Sequence, residues 1–366
     1  MIETLAEAPA PRSSRIASLL LSVLTSALRP ILVVGVALLI GMGVILYTRQ
    51  NPFVAYQNLL IAPFLSWDTF SAVLFFAIPL VLTGLATTVS FRANLFNIGG
   101  EGQLQVGALT TAFVALSLSS LPAVLLVPIV LLAGALAGAL WSSIAGWLRA
   151  SMGASELVST IMLNYVAIDL VSYMVAPGGP LAGGGSATKT IPGAAQFQTF
   201  GTTQLHWGFL VALLGVVLVF LLLYRTPLGY EIRMIGANAP FALYGGVAVP
   251  WVILAVSLIT GALAGAAGAV QVMGFQHQYS TAFISAQWGF TGVTVALLAR
   301  LEPVGVVVAA ILYALLEEGD QLMENNTSVD HNIITVVQGL IILFVTAQIA
   351  FRWYRGRRML PAAQPA

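Results

Sequence analysis

Cysteine is absent from the 366-residue chain, which excludes disulfides, thiolate metal sites and a cysteine nucleophile together and leaves the redox compartment unread. Charge is almost as scarce: Asp, Glu, Lys and Arg make up 7% of the residues, where an ordinary soluble domain carries roughly 25%. A chain with so few charges cannot cover a water-facing surface, and its 59% hydrophobic content places it in a bilayer. Lys189 is the one lysine, and it follows Thr188 rather than the last glycine of a Gly-x-x-x-x-Gly, so there is no phosphate-binding loop; any ATP used here, as ATP-Mg, is bound by another chain. A net charge of +1 without a basic run excludes nucleic acid as a partner. His206, His277 and His331 are scattered without metal-ligand spacing, and Asp169 and Glu302 have no acid–base partner legible in the sequence. Neither a metal nor a cofactor of its own is expected for this chain, and no catalytic residues are assigned.

What the sequence does have is long apolar runs. Membrane helices need roughly 20 mostly apolar residues, and ten candidates lie near 30–48, 70–90, 97–118, 122–148, 155–176, 207–224, 250–272, 283–299, 303–317 and 332–350. The expected fold is an all-α polytopic membrane protein: a cytoplasmic tail over 1–28, a membrane domain over 29–350 and a cytoplasmic tail over 351–366. With the N-terminus inside, every basic residue except Arg49 and Lys189 falls on the cytoplasmic side, the asymmetry of the positive-inside rule. An even number of spans returns the C-terminus to that side. No small-residue cleavage site follows the first apolar run.

Two connections are long. The outer one, 177–206, contains "PGGPLAGGGSATKTIPGAAQF", whose Gly and Pro content opposes a long regular helix. The other, 225–249, is cytoplasmic. A further stretch from Glu317, "EEGDQLMENNTSVD", reads as an outer loop between the last two spans. Ten spans divide into five and five, which forces the halves into opposite orientations. The third span, with Asn97 to Gly102, then corresponds to the eighth, with Trp288 to Gly292, and paired Gly-interrupted segments are the mark of a midplane site in an inverted repeat.

Polarity is concentrated in "FRANLFNIGGEGQLQVGA", Phe91 to Ala108. Arg92 ends the second span, the chain turns at Asn94–Gly100, and Glu101 near the next helix start meets the positive end of its dipole, which lowers the cost of a membrane carboxylate. Phe96, Asn97, Glu101 and Gln103 are therefore candidates for the solute pathway; a broken-helix hinge packed against its neighbours is the equal alternative. In "SELVSTIMLNYVA", Ser155 to Ala167, Asn164 and Tyr165 sit deep enough to join the pathway, while Glu156 reads as a helix cap beside Arg149. Gln287, Trp288 and Phe290 can supply amide and stacking contacts to a flat ring, with ordinary packing as the alternative.

The cytoplasmic loop reads "TPLGYEIRMIGANAPFALYGGV". Asn238 before a Pro-containing first turn suits a helix start, and Gly245-Gly246 suits its end. A short helix tipped with Phe241, Leu243 and Tyr244 is a shape that a motor domain's groove can grip; an interfacial helix on lipid lacks the basic face it would need.

These segments, followed by "GFTGVTVALLARLEPVGVVVAA", resemble in order the permease subunits of bacterial nucleoside ABC importers, within the group that includes ribose-type sugar and branched-chain amino-acid permeases. The resemblance covers about 70–350, and the Phe96–Gln103 core is similar to the nucleoside branch in particular. It implies a non-catalytic permease in the bacterial inner membrane, paired with a second, usually different, permease. It also implies an ABC ATPase subunit that hydrolyses ATP and an extracytoplasmic substrate-binding protein. Gly236 to Gly246, including Asn238 and Pro240, would then be the coupling helix that contacts the ATPase. Permeases for a sugar, a nucleobase or riboflavin share the fold, and an ion-coupled secondary transporter is the more distant alternative.

Overall fold

The computed structural model describes residues 51–327, the helical pieces 39–43 and 45–47, and the positions 336 and 339. Both expected tails, most of the first span and almost all of the last lie outside the described residues. The chain divides into two compact units, Gln57–Leu322 and a second made of Met1–Tyr56 with Met323–Ala366. The first contains every candidate site residue.

In chain order the helices are α1 (Pro52–Leu60), α2 (Trp67–Arg92), α3 (Gly100–Ser117), α4 (Ala123–Met152), α5 (Glu156–Val175) and α6 (Gly208–Arg225). They continue with α7 (Pro227–Ala237), α8 (Ala239–Tyr244), α9 (Val249–Gln271), α10 (Ala282–Ser285), α11 (Trp288–Leu298) and α12 (Pro303–Asn326). Five of them are long and apolar enough to cross a membrane: α2, α4, α5, α6 and α9 with its π-helical extension Val272–Gln276. No strand forms among the described residues, only isolated bridges. The protein is a mainly helical, multi-pass membrane protein.

Local chemistry sets the helix ends. Ser66 caps α2 by accepting the Thr69 N–H at 3.1 Å, with Asp68 in the first turn. α4 stops where Gly153 takes φ +67°, so that its N–H reaches the Arg149 carbonyl at 3.1 Å and the Ala154 N–H reaches that of Leu148 at 3.3 Å.

Three spans differ from the sequence expectation. The third begins at Gly100, after a non-helical stretch from Ala93. The eighth is broken: α10 has four residues, Gln287 has φ +48°, and α11 has 11 residues, about 16 Å or half a bilayer core. The ninth does not end at 317. α12 continues to Asn326 because "EEGDQLMENN" loses apolarity but keeps helix formers, and Gly319 lets the helix lie against Leu59.

The centre of the unit is an antiparallel zipper of small residues. On α4 they recur every fourth position as Gly134, Gly138, Ser142 and Gly146, and on α9 as Ser257, Gly261, Gly265 and Ala269. Gly146 faces Ser257, Ser142 faces Gly261, Gly138 faces Gly265, and Gly134 faces Ala269. A Cβ added to Gly138 would lie 2.7 Å from the Gly265 Cα, and one on Gly134 would lie 2.8 Å from the Ala269 Cβ. With no hydrophobic driving force between helices in lipid, this close approach supplies the packing that holds them.

The 177–206 connection has only a three-residue 3-10 turn, Gly193–Ala195, as its Gly and Pro content predicts. It is nonetheless docked. Ile191 N–H donates to the His277 carbonyl at 2.7 Å and Phe197 N–H to that of Met273 at 2.8 Å. His206, wedged between Phe75 and Phe197, accepts the Gly208 N–H on Nδ1 at 3.1 Å and so caps α6. Burial, reinforced by His277, pushes His206 down to about 4, which keeps it the neutral acceptor this cap needs.

We expect Gly138→Leu and Gly265→Leu each to destabilise the detergent-purified chain by about 2–3 kcal/mol, the size of core overpacking. Leu136→Ala, on the exposed face of α4, should leave the melting temperature unchanged. Equal melting of all three would show that the zipper is not the packing centre.

Candidate functional site

The two broken segments meet. Gly100, which opens α3, lies against Gly289, in the first turn of α11. Thr83 of α2 donates to the Trp288 carbonyl at 3.1 Å, and at the other end of α11 Arg92 donates through Nε to the Leu301 carbonyl at 2.9 Å. Thr83 precedes Arg92 by about 14 Å of helix, so α11 begins deep in the span and ends level with the Arg92 end of α2. Two helix N-termini, each carrying the positive end of a dipole, therefore converge inside the protein. Glu101 sits between them. Its Oε2 accepts the Gly289 N–H at 2.8 Å and its Oε1 accepts from Gln105 Nε2 at 2.7 Å, in surroundings that leave the residue 1% exposed.

Around this carboxylate the loosened backbone is capped by amides. Asn164 on α5 accepts the Gly102 N–H at 2.8 Å and donates to the Ile98 carbonyl at 2.9 Å, while Thr160 accepts the Ile98 N–H at 3.3 Å. Asn97 accepts the Gly99 N–H at 2.8 Å and a Gln103 amide hydrogen at 3.2 Å. Its own amide donates to Thr260 at 3.2 Å and Ser142 at 3.4 Å, hydroxyls on the two zippered helices. Irregular backbone at membrane depth is tolerated only with such internal partners.

A second line runs toward the 177–206 connection. The buried Tyr279 hydroxyl donates to Gln105 Oε1 at 3.0 Å, the Tyr279 N–H donates to Thr188 Oγ1 at 3.0 Å, and the Thr188 N–H returns to the Tyr279 carbonyl at 2.8 Å. The Glu101 carboxylate is thus linked through two side chains to the docked 177–206 connection.

The structure sorts the sequence candidates into two sets. Asn97, Glu101, Gln103 and Asn164 are buried and bonded within the chain. Phe96, Tyr165, Gln287 and Phe290 are exposed, and Trp288 is half-buried against Phe283. Trp288 also lines a small cleft of about 50 Å³ with Phe76, Leu80, Thr291, Tyr313 and Glu317. Ser142, Thr160, Thr260, Thr83, Gln105 and Tyr279 were not singled out by sequence reasoning. Gln105 was findable, one turn after Glu101 in the same motif; Tyr279 is 174 positions away from its partner.

The 225–249 loop forms the short helix that its sequence implies. Asn238 caps α8 by accepting the Phe241 N–H at 3.1 Å, Pro240 is in the first turn, and Gly245 ends it. Phe241, Leu243 and Tyr244 are exposed, Tyr244 at 92%. Gly236 is not part of this helix. It lies in the last turn of α7, where the absence of a side chain lets the helix press on the Arg92 carbonyl. Glu302 gains partners that the sequence did not reveal: it pairs with Arg92 and accepts from the Tyr224 hydroxyl, while Arg233 covers the Tyr224 ring at 5.5 Å. The base of the 225–249 loop is therefore tied to the end of α11.

Glu101→Ala would strand the Gly289 N–H and the Gln105 amide in a buried site, and we expect it to cost about 1–3 kcal/mol, with Glu101→Gln intermediate because one acceptor survives. Thermal unfolding of the purified chain measures this. A wild-type melting curve for Glu101→Ala would eliminate the carboxylate as the link between α3 and α11.

Comparison with known proteins agrees with this architecture. Residues 69–346 match the family described as the permease component of the branched-chain amino acid transport system. The chain is 35% identical over 285 residues to the guanosine ABC transporter permease protein NupP of Bacillus subtilis, covering 76% of this chain and 81% of that one. It is 34% identical over 343 residues to a glucose ABC transporter permease protein of Haloferax volcanii, covering 89% and 88%. It is 30% identical over 329 residues to the nucleoside ABC transporter permease protein NupB of Lactococcus lactis, covering 87% and 90%. With a half-helix break on each side of a buried carboxylate and an exposed helix on its 225–249 loop, this chain belongs to the branched-chain amino acid transport system permease family, as a non-catalytic ABC transporter permease component.

Proposed function

We propose that the chain is one of two different permease subunits of a bacterial importer for nucleosides. It has ten spans and both termini in the cytoplasm, and sits in the inner membrane with an ATPase that binds ATP-Mg and an extracytoplasmic substrate-binding protein. The observation that carries the nucleoside is the pair of similar permeases named for guanosine and for nucleosides; the Phe96–Gln103 core supports it. The glucose permease, similar over 89% of this chain, favours a second reading as a sugar permease. Nucleosides and hexoses share one feature, hydroxyls on adjacent carbons.

On this reading Asn97, Glu101, Gln103 and Asn164 hold the hinge, and Phe96, Tyr165, Gln287, Trp288 and Phe290 face the solute. α8 is the handle. Closure of the ATPases moves α8, α7 transmits the motion through Gly236 to Arg92, and the Arg92–Glu302–Tyr224 cluster passes it to the end of α11. The far end of α11 is the Gly289–Glu101 contact, so a tilt of this half-helix opens or closes the break.

The test is ATP-driven uptake of guanosine and of glucose by proteoliposomes containing the whole complex. Guanosine uptake is expected; uptake of glucose alone would establish the sugar reading. Tyr244→Ala, at an exposed position, should lower uptake at least about tenfold, as loss of an interface anchor does, without changing the melting temperature. Normal uptake by this variant would remove α8 as the coupling element.

A further inference from the structure

Between their ends, the exposed positions of α4 and α6 are apolar without exception, among them Leu132, Leu136 and Leu140 on α4 and Leu214, Val217 and Leu218 on α6. These faces suit hydrocarbon. α5 is different. Among the five long apolar helices it alone exposes a charge away from its ends, Asp169, about 9 Å from the Val175 end. Tyr165 and Tyr173, one turn before and one turn after, are exposed at 61% and 65%. The i, i+4, i+8 spacing puts ring, carboxylate and ring on one face, with about 12 Å of rise between the rings. Asp169 makes no hydrogen bond or ion pair with any described residue.

A carboxylate with two phenols does not face hydrocarbon, so this face of α5 borders water. Its opposite face carries Thr160 and Asn164, which cap the broken α3, so the same helix that braces the hinge presents the ladder. Aromatic rings stack on a base or on the apolar face of a sugar, and a carboxylate accepts two hydrogen bonds side by side. We propose that Asp169, flanked by Tyr165 and Tyr173, is the solute-contacting residue that recognises adjacent hydroxyls as the solute passes. This assignment rests on the reading of the solute as a hydroxyl-bearing nucleoside or sugar, and it makes Asp169 a specificity determinant rather than an ion relay.

The absence of cysteine makes the test direct, because one introduced thiol is the only one in this chain. In membranes holding the whole complex, Tyr173→Cys is treated with a charged, membrane-impermeant thiosulfonate. Labelling is expected, slowed severalfold by guanosine and much less by 2′,3′-dideoxyguanosine. Adding Asp169→Asn should erase the difference between the two nucleosides, and Asp169→Glu should retain it. In uptake, Asp169→Asn should lose about tenfold, the size of a lost charged hydrogen bond, with melting temperature and ATPase assembly unchanged. Protection by glucose but not by guanosine would sink the nucleoside reading while supporting Asp169. An unreactive Tyr173→Cys, as when a second permease covers this face, would overturn the proposal. So would equal protection by the two nucleosides, or wild-type uptake by Asp169→Asn.

Discussion

Backbone groups in hydrocarbon have no water to turn to, so a membrane chain that abandons the helix must find every partner inside itself. This constraint organises the unit. The helix lapses between Ala93 and Gly99 and again around Ala286–Gln287, and both lapses are brought to the same place. The first is capped by Asn97, Thr160 and Asn164, the second by Glu101. Each cap comes from a different element than the backbone it serves, except for the local turn at Asn97. The break is therefore stable only while α3, α5 and α11 stay in register.

The register is held by packing that contains almost no large side chains. Gly134, Gly138, Gly261 and Gly265 bring α4 and α9 close enough that the Ser142 and Thr260 hydroxyls lie together, and Asn97 donates to both. Gly107 of α3 enters the same contact: a Cβ added there would lie 2.5 Å from the Gly265 Cα. The rigid pair thus supplies both the floor beneath the hinge and the acceptors that orient it.

Against this rigid core, α11 is short and held at its two ends. One end is held by the Glu101 carboxylate on the Gly289 N–H and by the Thr83 hydroxyl on the Trp288 carbonyl; the other is a turn in which Arg300 and Leu301 both take positive φ, at 55° and 59°, beneath the Arg92–Glu302 pair. Positive φ in non-glycine residues persists only where surrounding contacts impose it, and here Arg92 bonds the Leu301 carbonyl. A half-helix fixed at two polar points and packed by Gly84 and Gly292 between them has the form of a lever.

Much of this was legible in one sequence because hydrocarbon imposes length and composition. The apolar runs located α2, α4, α5, α6 and α9 to within a few residues, the Asn-Ala-Pro start and Gly-Gly end defined α8, and the Phe91–Ala108 motif announced a break. The true end of α12 was not legible, since loss of apolarity at Glu317 is not loss of helix propensity. Nor was the division of the polar residues into caps and exposed groups. Asn97 and Tyr165 look equally functional in the sequence, yet one is enclosed by hydroxyls from α4 and α9 while the other faces outward. Composition determined that the chain lies in a membrane and where its long apolar helices run. Only the tertiary structure decided that Glu101 meets Gly289, 188 positions away, because a buried helix end accepts whichever carboxylate the packing delivers to it.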